Sequence, residues 1–300
     1  SFWLAAVAAL VQGGFDGAEA MHIRAAVVLT GQGVLLASIF ALVPSRGLAG
    51  IFLAQVLQGA FLLVVSWFTV RRYVGGLRWL RLRWNVRDFR QLVIFGGGVQ
   101  LSGVLNLLLD PLTKVLLAKF GGAAILGYFE VANQAVLRIR SLLVSANQAV
   151  VPAMAGMVRG NRSDIQRLYV ANCRALLVFW LVGFGSLIAG SSYVGQAIVG
   201  RVDQVFSHVL RAVALAWCLN TLNVPAYFGN LGLGRLKWNV VSHATIAALN
   251  LTFGVVGGSL FGPSGVIGGY VLALAVGSGV VVVAFHREQA LPVSAIWRRG

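Results

Sequence analysis

Apolar residues run through this chain in blocks of about twenty, separated by short polar or glycine-proline turns. Within a block neither parity is polar, whereas a barrel strand alternates apolar and polar over about ten residues, so the pattern predicts membrane-spanning helices. Roughly 20 apolar residues at 1.5 Å rise cross a ~30 Å hydrocarbon layer. By that measure the sequence predicts a partial helix at 1–12 and full spans at 25–43, 48–70, 92–118, 123–150, 166–189, 205–229, 238–260 and 264–285. The breaks fall at Pro44-Ser45-Arg46-Gly47, Gly121-Gly122, Arg159-Gly160-Asn161-Arg162 and Gly262-Pro263-Ser264-Gly265. The first apolar residues lack a basic stretch ahead of them and read as the inside of a helix, not as a signal peptide.

Composition agrees with the pattern. Hydrophobic residues make up 58% of the 300 and charged residues 11%, with 37 glycines and a mean hydropathy of +0.84. A water-soluble domain needs about 25% charged residues to hydrate its surface, so this chain is dissolved mainly in lipid. The net charge of +16 then needs a location. Assigning every second connection to one side gathers sixteen cations there: Arg24, Arg71, Arg72, Arg78, Arg81, Arg83, Arg87, Arg90, Arg159, Arg162, Arg167, Arg235, Lys237, Arg287, Arg298 and Arg299. The opposite side holds Arg46, Lys119 and Arg201. The positive-inside rule makes the crowded side cytoplasmic. Basic clusters separated by continuous hydrocarbon exclude a nucleic-acid surface, which needs a hydrated basic face with stacking aromatics. Cys173 and Cys218, with His22, His208, His243 and His286, have no metal-type spacing, so neither a metal nor another cofactor is expected.

Five cations remain within the spans, Lys114, Arg138, Arg140, Arg174 and Arg211, against two carboxylates, Asp110 and Glu130. Ser102, Asn106, Asp110 and Thr113 with Lys114 fall on one face of span 92–118; Glu130, Gln134, Arg138, Ser141, Ser145 and Gln148 form a second stripe on span 123–150. An ionised side chain at mid-bilayer costs at least ~2.5–3.5 kcal/mol, so both stripes face protein or a water-filled cavity. Asp110 and Lys114, four apart, can pair, and Glu130 can be neutralised by Arg138 or Lys119. The formal excess of three positive charges still asks for an aqueous cavity that receives anions. Arg140 points about 200° away from Arg138, and Arg174 and Arg211 can line the cavity or snorkel to an interface. Pro111 removes a backbone hydrogen bond beside the charged pair; its bend serves either packing or a rocking carrier. Gly96-Gly97-Gly98 and Gly268-Gly269 read as close helix contacts and not phosphate loops.

An internal repeat is visible: Pro44-Ser45-Arg46-Gly47-Leu48-Ala49-Gly50 resembles Pro263-Ser264-Gly265-Val266-Ile267-Gly268, aligning Gly47 with Gly265 and Gly50 with Gly268 at an offset of 218. Six spans lie between the copies, so both have one orientation, as in two parallel lobes related by an axis along the membrane normal. Repeat arithmetic places the start of the first lobe ~130 residues before Ser1.

Phe95-Gly96, Leu105-Asn106, Asp110, Lys114, Leu116-Leu117, Phe120-Gly121-Gly122, Leu126-Gly127-Tyr128, Ala132, Asn147 and Val151-Pro152-Ala153 together resemble helices 7 and 8 of the polysaccharide flippases. These belong to the multidrug/oligosaccharidyl-lipid/polysaccharide exporter superfamily. Asn223-Val224-Pro225, Leu249-Asn250-Leu251 and Phe261-Gly262-Pro263-Ser264-Gly265-Val266 are similar to its helices 10 to 12. The resemblance covers nearly the whole chain and lacks the first three or so helices. It implies an all-α polytopic membrane protein, with about eight complete transmembrane helices and a partial one, from a twelve-helix two-lobe transporter. Residues 1–75 would end the N-terminal lobe (helices 4–6), 76–90 form a cytoplasmic basic linker, 91–286 the C-terminal lobe (helices 7–12) and 287–300 a cytoplasmic tail.

The function implied is transfer of undecaprenyl-diphosphate-linked oligosaccharide from the cytoplasmic to the periplasmic leaflet of a bacterial inner membrane. The anionic lipid-linked oligosaccharide is then the substrate, a polysaccharide polymerase and a chain-length regulator are candidate partners, and the transporter is expected to be a monomer. Asp110 and Lys114 match the acidic and basic positions of the family's seventh helix; Arg138, Arg140, Arg174 and Arg211 are assigned to the substrate cavity from charge placement alone, together with Glu130. A drug or cation antiporter of the same superfamily would instead want a net acidic cavity. A membrane enzyme would want catalytic acids in hydrated loops, and the longest outside loop, near 190–204, offers one carboxylate, Asp203.

Overall fold

The computed structural model describes residues 2–17, 20–73, 85–157 and 161–292. Arg78, Arg81, Arg83, Arg159, Arg298 and Arg299, and with them parts of the basic linker and the tail, lie outside the described residues. Every regular element among the described residues is helical: α1 (Phe2–Gly17), α2 (Met21–Arg46), α3 (Leu48–Tyr73), α4 (Val86–Asn147), α5 (Val150–Gly156), α6 (Arg162–Ala189), α7 (Ser191–Val199), α8 (Gln204–Thr221), α9 (Val224–Gly232), α10 (Lys237–Phe261) and α11 (Pro263–Glu288). Seven stretches among the described residues are long and apolar enough to cross a membrane. One of them, 89–156, runs 68 residues, far beyond one crossing, and is broken by non-helical backbone at Gly122. Counted as two, it restores the eight spans read from the sequence. Two compact units divide at Trp84/Asn85.

In the first unit α3 packs against α2 and α1. Gln12 Nε2 donates to Ser66 Oγ at 3.4 Å in the buried α1–α3 contact, and Phe15, Ala20 and Val70 close the core beneath it. Large apolar side chains such as Leu29, Phe40, Phe52 and Phe68 point outward, as lipid-facing surfaces require.

In the second unit α10 and α11 form a tight hairpin against α4, while α8, buried along most of its length, runs between α4 and α11. Its core holds Leu117, Phe129, Val136, Leu210, Val213, Val266, Tyr270 and Leu274. The α10–α11 approach is set by glycine: a Cβ on Gly269 would lie 2.8 Å from the Phe253 carbonyl carbon, and one on Gly265 would strike the Gly257 backbone. Two expected elements differ in detail. The span 205–229 is split between α8 and α9, where Pro225 opens the second helix, and the outside loop near 190–204 contains the short helix α7.

Three hairpin tips share one backbone device. Gly47, Gly122 and Gly262 have φ/ψ of 52/−130°, 72/−178° and 61/−144°, a region that side chains rarely enter. The internal repeat is present but in another register. Gly47 N–H donates to the Val43 carbonyl at 2.9 Å and Gly50 N–H to the Gly47 carbonyl at 3.0 Å. In the second copy Gly262 N–H donates to Gly258 at 3.0 Å and Gly265 N–H to Gly262 at 3.1 Å. The offset is therefore 215, not 218: Gly47 corresponds to Gly262, and Gly50 to Gly265. The sequence alignment followed the Pro-Ser dipeptides, which occupy different places, Pro44 inside α2 and Pro263 at the start of α11. Side-chain packing confirms the new register. A Cβ on Gly31 would lie 2.5 Å from Leu62, and the equivalent pair, Ile246 and Gly277, makes the same contact with the small and large residues exchanged.

Candidate substrate-facing site

The Gly122 tip folds α4 into two arms, residues 86–121 and 123–147, and this decides which charged groups meet. Lys114 Nζ lies 2.7 Å from Asp110 Oδ2 on its own arm and 2.6 Å from Glu130 Oε2 on the other. Gln134 Nε2 donates to Glu130 Oε1 at 3.0 Å, completing the carboxylate's shell. The expected Asp110–Lys114 pair is present, but Glu130 pairs with Lys114 and not with Arg138 or Lys119. Arg138 is eight residues along the same arm, ~12 Å away at the helical rise, whereas the hairpin sets Lys114 directly opposite. Lys119 instead lies over the Phe120 ring, 5.3 Å from its centroid. The cluster carries two negative charges and one positive. Its side chains are 46%, 32% and 37% exposed for Asp110, Lys114 and Glu130, too open for a sealed core and too polar for acyl chains, so they face a polar surrounding, either water or further protein.

Behind the cluster a hydrogen-bonded path runs into the core. Asn133 Nδ2 donates to Asp110 Oδ1 at 3.2 Å, and Trp217 Nε1 donates to Asn133 Oδ1 at 2.8 Å. The Arg140 guanidinium stacks on the Trp217 ring, 4.5 Å from its centroid, and its Nη2 donates to Asn220 Oδ1 at 3.3 Å. Asn220 and Asn223 both donate to Ser278 Oγ, at 2.8 and 3.1 Å. Tyr270, buried, meets Phe129 and Trp217 edge-on. Arg140 has no carboxylate partner among the described residues, and its Nε is buried without a hydrogen bond. A second tie joins α10 to the first arm: Asn250 Nδ2 donates to Thr113 Oγ1 at 2.9 Å, and that hydroxyl donates to the Leu109 carbonyl.

The remaining cations are dispersed. Arg138 is exposed on the second arm, in line with Glu130 and Gln134 at four-residue spacing and on a different face from the inward Arg140. Arg174 is exposed on α6. Arg211, also exposed, donates from Nε to Ser191 Oγ at 2.6 Å and so ties α8 to α7. The structure thus brings Asp110, Lys114 and Glu130 together, links Arg140 to them through Asn133 and Trp217, and leaves Arg174 and Arg211 outside this group.

The sequence reading passed over Asn133, Trp217, Asn220, Tyr270 and Ser278. Asn133 was hidden by Gln134, which fits the four-residue stripe better. Trp217 and Asn220, three apart in an apolar run, carried a usable signal, because a buried amide and an indole N–H on one helix face must both find partners.

Residues 15–202 match the profile of a family described as polysaccharide biosynthesis protein. No curated protein sequence matches significantly. Among solved structures, a mutant of the Vibrio cholerae MATE transporter VcmN is similar with a TM-score of 0.80 at 15% identity, covering 99% of this chain and 68% of that one. VcmN in its bent form gives 0.81 at 15% identity, with 96% and 67% covered. A MOP superfamily transporter from Pyrococcus furiosus, described as having a binding pocket of reverse polarity, gives 0.68 at 15% identity, with 91% and 63% covered. At such identity the likeness is one of fold, and the chain spans about two thirds of the length of these transporters.

Proposed function

Because the chain belongs to the polysaccharide biosynthesis protein family and has the multi-pass fold of a MOP superfamily transporter, we propose that it carries lipid-linked oligosaccharide across a bacterial inner membrane. The substrate in this reading is an undecaprenyl-diphosphate-linked oligosaccharide moved from the cytoplasmic to the periplasmic leaflet by alternating access, without catalysis. The observation that carries it is that the family match, residues 15–202, encloses the whole charged hairpin from Asp110 to Arg140. There, Lys114 is held by two carboxylates and Arg138 is exposed two turns beyond Glu130 on the same face. An arriving diphosphate meets Arg138 first and competes with Glu130 for Lys114. Binding then exchanges one set of ion pairs for another, which keeps the cost of desolvating the headgroup low.

The test is flipping of a fluorescent lipid-linked oligosaccharide in reconstituted vesicles. Arg138→Glu should abolish it while insertion and thermal stability stay unchanged; an undiminished rate in a correctly inserted variant overturns the reading. The net negative charge of the Asp110–Lys114–Glu130 cluster favours a second reading, a drug or cation antiporter. That alternative requires uptake of organic cations that is insensitive to Arg138→Glu and lost in Glu130→Gln.

A further inference from the structure

At the end of the second unit that carries Arg235, Lys237 and Arg287, which the positive-inside rule assigns to the cytoplasm, a groove of about 740 Å³ lies between the start of α4 and the turn from α9 into α10. We propose that it binds an anionic phospholipid of the cytoplasmic leaflet. Ile94 and Phe95 on α4 and Leu236 and Val241 on the opposite wall give it an apolar interior. Arg235 and Lys237 line its mouth.

The charge balance at the mouth selects an anion. Glu288 is the acidic residue in the lining, and it is already engaged: Trp238 Nε1 donates to its Oε1 at 2.7 Å and Arg235 Nη1 lies 3.5 Å from its Oε2. Lys237 rests over the Trp238 ring, 5.2 Å from the centroid, and makes no ion pair among the described residues. Within the lining Arg235 and Lys237 stand against Glu288, which leaves one positive charge, that of Lys237, beside a tryptophan, the residue pairing expected at a headgroup layer. A zwitterionic headgroup would bring its own ammonium into this rim and gain little; a phosphodiester of net negative charge gains on Lys237 without an ammonium to oppose it.

The interior fixes the depth. Gly98, one helical turn past Ile94, closes the groove where a Cβ would lie 3.0 Å from Leu236 Cδ1. One apolar turn below a basic mouth suits the glycerol backbone and the first acyl carbons of a membrane phospholipid, with the remaining chain in the bilayer. This site lies apart from the Asp110–Lys114–Glu130 cluster, whose first-arm members, Asp110 and Lys114, begin about three helical turns beyond Gly98.

Native mass spectrometry of the full chain in detergent, titrated with phosphatidylglycerol, phosphatidylcholine or undecaprenyl phosphate, tests the proposal. Phosphatidylglycerol should be retained at least tenfold better than phosphatidylcholine. Arg235→Gln with Lys237→Gln should remove that preference, and Arg71→Gln with Arg72→Gln should leave it intact. Lys237→Gln alone, which leaves the Arg235–Glu288 contact in place, should weaken it about threefold. Gly98→Phe should reduce retention of phosphatidylglycerol with every charge in place. Equal retention of the two phospholipids overturns the proposal, as does a preference unchanged in the double variant. So does retention of undecaprenyl phosphate without phosphatidylglycerol, which would make the groove a substrate portal.

Discussion

Lys114 and Glu130 stand 2.6 Å apart, each eight residues from Gly122, one before and one after it. The ion pair is therefore a product of the hairpin tip and not of helical spacing. With Asp110 on the other side of Lys114, one ammonium serves two carboxylates. Lys114→Gln should leave like charges facing each other and cost about 1–2 kcal/mol, below the ~3–5 kcal/mol of a fully buried pair because these side chains are partly exposed. Adding Glu130→Gln should return most of that loss in thermal unfolding. A double variant no more stable than the single one would mean the pair contributes nothing.

Gly122→Ala should cost about 1–3 kcal/mol for backbone reasons alone, since nothing lies within 4 Å of an added Cβ and only the dihedral angles resist it. Gly127→Ala, also with open space but in regular helix, should be neutral or stabilising by up to ~1 kcal/mol. Comparing the two midpoints in one detergent separates the effect of the tip from that of composition.

Arg140 tests the opposite sign. A half-buried guanidinium whose Nε is enclosed without a partner and which faces no carboxylate among the described residues is held by Trp217 and Asn220. Arg140→Met should leave stability unchanged or raise it by about 1–2 kcal/mol, as replacing buried charge with an apolar side chain often does. Transport should nevertheless fall at least tenfold if the positive charge serves function. A drop of several degrees in midpoint would make Arg140 a structural tie instead.

Asp203 supplies a pH-dependent contribution outside the membrane spans. The Phe206 backbone N–H, at 3.0 Å, and the Tyr128 hydroxyl, at 2.7 Å, hold its carboxyl below the ordinary carboxylate value. A depressed native pKa stabilises the fold above the unfolded value of ~3.9 and loses that effect as pH falls through the native one. Wild type and Asp203→Asn should therefore differ by a constant margin from pH 7 to 5, and the margin should shrink only below about pH 4. A difference that vanished near pH 6 would assign it to another group.

The exchanged contacts of the repeat give a packing test. Gly31→Ile alone should crowd Leu62, where an added Cβ would already lie at 2.5 Å, and cost about 1–3 kcal/mol. Gly31→Ile with Leu62→Gly recreates the arrangement of Ile246 and Gly277 and should recover most of it, read as midpoint by thermal unfolding.

The amino-acid sequence by itself determined the spans and the distribution of basic residues. A 25-residue apolar run has few ways to satisfy its backbone in lipid, so length and composition suffice for that. It also placed Asp110 beside Lys114, a pairing within one helix that depends only on a spacing of four. Only tertiary structure decided that Glu130 meets Lys114, that Arg140 lies on Trp217, and that the repeat runs at an offset of 215. Each of these depends on how two helices meet. The meeting is set at Gly122, Gly262 and Gly265 by positive φ or close backbone approach, and a glycine in the text does not say which it is. The charges were legible as a list, and the hairpin tips assigned their partners.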